Sequence, residues 1–115
     1  MDYFYNFIKG TNMSIPKINY EDVKLSINNS NYLLINTLPN HEQNCLIYKT
    51  IHFSSEEQII NDLVNNNKSH NIIIYGKNCN DDSVYKKYNQ FIDLGFTNVY
   101  LYLGGLFEWL LLQDI

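Results

Sequence analysis

A lysine, a thiol and two carboxylates fall between Lys77 and Asp82, in the loop Gly76-Lys77-Asn78-Cys79-Asn80-Asp81-Asp82. The apolar run Ile72-Ile73-Ile74-Tyr75 leads straight into this loop, and a helix pattern starts around Ser83. A buried strand, a Gly-led loop and a helix N-terminus aim their N–H groups at one point, which makes a small anion cradle. Its candidate members are Gly76, Lys77, Asn78, Asn80, Asp81, Asp82 and Ser83, with Cys79 as the candidate nucleophile. A thiolate there would gain from the helix dipole, the loop amides and the charge of Lys77. Asp81 and Asp82 act the other way, disfavouring both a thiolate and a bound anion. As N-cap or first-turn residues they would use the same N–H groups an anion needs. Nucleophile, self-filled joint and anion site without chemistry all stay open at this loop.

Other chemistry is sparse. Cys45 and Cys79 stand apart with no paired-Cys spacing and no His in a ligand pattern, so neither a metal site nor a cofactor is expected. Cys45 reads as a small apolar core residue. His41, His52 and His70 are isolated in polar or turn-like surroundings. Lys and Arg total 8 against 12 Asp and Glu, for a net charge of −4, and every basic residue is a lysine. Without arginine, bidentate capture of phosphate or carboxylate is closed to this chain. An acidic balance with scattered lysines also argues against nucleic acid. No apolar run approaches the roughly 20 residues of a membrane span, and Met1-Asp2-Tyr3 lacks the basic flank of a signal peptide. A cytoplasmic, reduced protein without membrane contact is expected. Asn, Ile, Tyr, Lys and Leu dominate and Ala is missing, which suggests an A/T-rich genome such as a parasite, an amoeba or a large DNA virus. The asparagines of 65–67 then need no functional reading.

The elements that position the loop follow from spacing. At 115 residues the chain fits one domain, 1–115, with 1–14 as an N-terminal amphipathic extension carrying Tyr3, Phe4, Phe7 and Ile8. Ser14 to Ile18 reads as an edge strand, because Pro16 cannot donate to a ladder. Asn19 caps a helix bearing Tyr20, Val23 and Ile27, with Glu21 and Asp22 in its first turn. Tyr32 to Asn36 is a strand buried on both faces. Cys45 to Tyr48 and Thr50 to Phe53 offer further extended structure. Ser54 and Glu57 form a capping box ahead of the Ile59, Ile60, Leu63, Val64 stripe. After the loop, Val84, Tyr88, Phe91 and Ile92 share a helix face that ends at Gly95. Tyr75, Tyr85 and Tyr88 flank the loop as packing residues. Asn98 to Tyr102 is a strand, Gly104-Gly105 a turn, and Leu106 to Gln113 a helix apolar on nearly every side, which must be covered by the N-terminal segment or a partner. The expectation is an α/β domain with a mostly parallel, four- to five-stranded central sheet flanked by helices.

This order, with the tail Leu94-Gly95-Phe96-Thr97-Asn98-Val99-Tyr100-Leu101-Tyr102-Leu103-Gly104-Gly105-Leu106-Phe107-Glu108-Trp109, resembles the rhodanese-like family from about residue 15 onward. In active members the loop opens on a cysteine whose thiolate takes up sulfur as a persulfide, held by loop N–H groups and helped by a basic residue at the loop's end. The resemblance places Gly76 at that cysteine and Asp81 or Asp82 at the basic residue. An Asp-x-Arg after the second strand reads Asn36-Thr37-Leu38, and the Gly-His-Ile-Pro-Gly-Ala stretch is replaced around Asn44 to Lys49. It therefore implies a divergent or inactive domain that serves as an interaction or regulatory module, through a protein partner or a homodimer at the apolar C-terminal helix. The enzymatic alternative is a sulfurtransferase using Cys79 as a displaced nucleophile.

Overall fold

Two continuous apolar runs bounded by turn residues become neighbouring strands, β1 (Tyr32–Asn36) and β2 (Asn71–Tyr75), and a third, β3 (Val99–Tyr102), completes the sheet. The computed structural model describes residues 15–113; the expected N-terminal amphipathic extension lies outside the described residues. The order is β1-β2-β3, parallel throughout, with Ile73 of β2 level with Leu34 and Tyr100. Parallel neighbours need crossovers, and two helices supply them, α2 (Phe53–Asn66) between β1 and β2 and α3 (Ser83–Asp93) between β2 and β3. Before the sheet comes α1 (Tyr20–Ser26), and after it α4 (Gly105–Gln113).

The period-two alternation of the strands sorts the helices into layers. Ile35, Ile72, Ile74, Val99 and Leu101 face Ile60 of α2 and Val84 and Phe91 of α3. Leu34, Ile73, Tyr75 and Tyr102 face Val23 of α1 and Trp109 of α4. β2 is thus buried on both sides, which is why its sequence is apolar without interruption. The loop after β2 leaves the middle of the sheet at its carboxyl edge, where open α/β sheets form their crevices.

The sheet has three strands where four or five were expected, and both missing strands survive as single parallel bridges, Lys17 to Leu101 and Thr50 to Leu34. Each is cut short for a local reason. Pro16 accepts from Leu101 N through its carbonyl but has no N–H to extend the ladder. On the other side Lys49, at φ 75°, breaks the extended backbone just before Thr50. The 45–53 stretch accordingly holds a turn at Tyr48-Lys49 and one bridge, with Phe53 already the first residue of α2, and it is pinned by the Tyr75 hydroxyl, which accepts from Ile47 N at 3.1 Å and meets Thr50 Oγ1 at 2.7 Å. Ile47 takes the core position on this stretch, and Cys45, expected in the core, is exposed.

Helix termini follow their caps. Asn19 and Asp22 exchange side-chain and backbone bonds in a capping box at α1. At α2 the cap is His52, whose Nδ1 accepts from Ser54 N at 3.2 Å, so the helix starts one residue before the expected Ser54 cap and the Ser54–Glu57 box does not form. α3 ends in a Schellman turn: Gly95 at φ 101° donates to Ile92 O and Phe96 N donates to Phe91 O. The Phe91 and Phe96 rings close it with centroids 5.9 Å apart.

Candidate functional site

The loop between β2 and α3 is organised by one side chain, Asp81. Its Oδ2 accepts from Lys77 N at 2.8 Å, and its Oδ1 accepts from Ser83 N at 3.0 Å and from Ser83 Oγ at 2.5 Å. Ser83 Oγ is also hydrogen-bonded to Thr37 Oγ1 at 2.6 Å, which ties the loop to the end of β1. The cap of α3 thus comes from Asp81. Asp82 holds the N-cap position, yet its side chain makes no capping bond. A carboxylate that can only accept is well matched to N–H groups converging at a helix start.

Gly76 is buried beneath this carboxylate. A Cβ on Gly76 would lie 2.5 Å from Asp81 Oδ2, 2.9 Å from Asp81 Cγ and 3.0 Å from Thr37 Oγ1. The carboxylate therefore occupies the space that a side chain at position 76 would need. From outside, the first turn of α4 holds the loop's carbonyls: Leu106 N donates to Gly76 O at 2.9 Å and Phe107 N to Lys77 O at 2.8 Å. This close approach requires Gly105, whose φ is 66° and whose missing Cβ would sit 2.6 Å from Gly76 O.

Cys79 takes the outer corner of a turn closed by Asp81 N donating to Asn78 O at 3.1 Å, and it is exposed. Asn78 Oδ1 accepts from Asn80 N, so the amide stiffens the turn that carries the thiol outward. Lys77 is exposed, and its Nζ lies 3.0 Å from Glu42 Oε1. A recess of about 380 Å³ beside the loop is lined by Thr37, Pro39, Lys77, Asn78, Asn80, Asp81 and Ser83. Cys79 is not on its walls.

Partial burial pushes the Asp81 carboxyl up, but bonds from the Ser83 hydroxyl and the Lys77 and Ser83 N–H groups, with the Lys77 charge, hold it below the ordinary aspartate value. A folded-state value below the unfolded one stabilises the protein above the unfolded value and is lost as pH falls through the depressed one. Asp81→Asn is expected to flatten the acid limb of a urea-midpoint profile below about pH 4, and to cost about 1 kcal/mol at neutral pH as a weakened cap. A profile parallel to wild type would show that Asp81 does not carry this cap.

At the end of β1, Asn36 is buried. Its Oδ1 accepts from Leu38 N at 2.9 Å and Gln43 Nε2 at 2.8 Å, and its Nδ2 donates to Gln43 Oε1 at 3.1 Å. A neutral amide pair is the stable choice here, because a buried carboxylate would need a cationic partner that a chain without arginine does not place there.

A model of the rhodanese-like domain matches residues 19–112. The chain belongs to the rhodanese-like domain family. A search of curated proteins gives no match. In this rhodanese-like domain the resemblance matches Gly76 to the sulfur-accepting cysteine of active members and Asp81 or Asp82 to the basic residue at the loop's end. The structure packs Asp81 over Gly76 and leaves Asp82 exposed. Of the residues singled out in the sequence, Gly76 is buried under Asp81, and Lys77, Asn78, Asn80, Asp81 and Ser83 line the recess beside it, while Cys79 and Asp82 are exposed and off its walls. Thr37, Glu42 and the α4 amides were missed. In a parallel sheet the end of β1 shares the crevice with the end of β2, so Thr37 could have been found from strand adjacency. The α4 contacts depend on a tertiary approach that spacing does not reveal. The domain also has a groove of about 560 Å³ between α2 and α3, crossed by a Lys87–Glu56 ion pair at 2.6 Å. Among the described residues no group of His, Cys, Asp and Glu could hold a metal ion, and no helix is long and apolar enough to cross a membrane.

Proposed function

We propose that this rhodanese-like domain is an interaction or regulatory module that does not transfer sulfur. The observation that supports this reading is the Asp81 carboxylate, bonded to loop and helix N–H groups and packed over the glycine at the nucleophile position. A sulfur donor such as thiosulfate is an anion, and it would meet a fixed negative charge where it needs N–H donors. The proposed interaction surface is the outer face of α4, open to a protein partner or a second copy. In this reading the domain occupies 1–115, with 1–14 as an extension, and works in the cytoplasm without nucleic acid or membrane.

The competing reading makes Cys79 a displaced nucleophile with Lys77 as its charge. It is disfavoured by the position of Cys79 at the outer turn corner and by the Lys77–Glu42 ion pair. A thiosulfate:cyanide assay decides. Wild type, Cys79→Ser and Cys45→Ser are expected to give the same background rate. Robust wild-type turnover that vanishes in Cys79→Ser would overturn the proposal.

A further inference from the structure

We propose that the flank of α3 turned away from α2 is the seat of the chain's own residues 1–14, which leaves the outer face of α4 open. α3 has two flanks. Lys87, Gln90 and Leu94 line the groove shared with α2. Tyr85, Tyr88 and Ile92, at i, i+3 and i+7, follow the other flank, and Ile92 is 39% exposed. The described chain enters beside this second flank. Pro16 O accepts from Leu101 N and Ile18 N donates to Leu101 O, both at 3.0 Å, so residues 16–18 run along the outer edge of β3. Ile15 packs against the same core cluster as Tyr85 and Tyr88, which places the entry point on the α3 side of the sheet. α4 packs on the opposite side, through Trp109.

Residues 1–14 carry Tyr3, Phe4, Phe7 and Ile8 at helical spacing, an apolar set for one flank. Residues 9–14 join Ile8 to Ile15, and six residues extended reach about 20 Å. The flank from Tyr85 to Ile92 is about 10 Å long, so all of it falls within reach. The outer face of α4 would require a path around the edge of the sheet. The tether also decides against a second copy or a different protein, because a segment held this close competes at an effective concentration in the roughly millimolar range.

The test uses the full 115-residue chain with Cys45→Ser and Cys79→Ser as background. Asn6→Cys with Asn89→Cys keeps every apolar side chain of the seat, and Asn89 is exposed one turn after Tyr85. A short bismaleimide at low protein concentration is expected to join this pair within one molecule. Asn6→Cys with Leu111→Cys probes the outer face of α4 and is expected to give at least about tenfold less product. Tryptic cleavage after Lys9 is the second readout. Ile92→Lys is expected to speed it at least about tenfold with an unchanged far-UV spectrum, and Ile92→Asn is the second variant, should the lysine disturb folding. Equal or stronger cross-linking of the Leu111 pair overturns the proposal, and so does no product with Asn89. Products only between molecules assign the flank to a second copy and overturn it too. Cleavage after Lys9 as fast in wild type as in both Ile92 variants has the same force. None of these results depends on sulfur transfer, so the seat on α3 and the inactive loop fail separately.

Discussion

Gly76→Cys puts a thiol at the position that the resemblance matches to the family's nucleophile, and the variant is expected to take up no sulfur from thiosulfate. The new Cβ falls 2.5 Å from Asp81 Oδ2, so the carboxylate must leave the Lys77 and Ser83 N–H groups it now holds. Overpacking of this kind costs about 1–3 kcal/mol. The displaced carboxylate stays beside the sulfur, where its charge raises the thiol pKa and repels thiosulfate. Gly76→Cys combined with Asp81→Ala removes both obstacles. The thiolate then attacks the outer sulfur of thiosulfate, the S–S bond of thiosulfate breaks, and sulfite leaves with its electron pair. Intact-mass spectrometry should show one added sulfur in the double variant and none in either single one. Equal loading of Gly76→Cys alone would show that Asp81 is not the block.

Gly105→Ala should be the most destabilising single methyl in the domain. Its Cβ would meet only backbone, with Gly76 O at 2.6 Å, Lys77 C at 3.0 Å and Asn78 N at 3.1 Å, and none of these atoms can swing away. The left-handed φ of 66° adds about 1–2 kcal/mol for any L side chain. Together with the overpacking, a loss of about 3–4 kcal/mol is expected, a large share of the roughly 5–15 kcal/mol that holds a domain folded. Gly95→Ala is the control. It too has a left-handed φ, but its Cβ would meet only the flexible end of Lys68 at 3.1 Å, so only the backbone cost of about 1–2 kcal/mol should be lost. Urea midpoints of the two variants measure the difference; equal midpoints would mean that α4 and the loop separate easily.

These two glycines also show how far a sequence discloses its own site. Gly95 was legible because its role is local: it follows an apolar helix face, and a left-handed cap needs nothing from the rest of the chain. Asn19 with Asp22 was legible for the same reason. The strands were too, since β1, β2 and β3 appear as apolar runs bounded by turn residues. Ser54 misled, because the imidazole of His52, two residues earlier, competes for the same helix start and takes the cap position. Cys45 misled because a continuous Cys-Leu-Ile run looks extended, whereas Tyr75, distant in sequence, selects Ile47 as the residue to anchor. At the loop, residue types showed a missing thiol and misplaced acids. They could not show that the glycine and one of those acids touch, which is a property of three dimensions.

The bonds from Leu106 and Phe107 to the carbonyls of Gly76 and Lys77 make two stretches some thirty residues apart a single cooperative unit. Those amides cannot meet solvent unless α4 lifts from the loop, so hydrogen exchange at Leu106 and Phe107 reports the opening of a loop to which neither residue belongs. A substitution that weakens this contact, such as Gly105→Ala, should therefore speed exchange at Leu106 and Phe107 together. The last helix and the loop after β2 share one opening equilibrium.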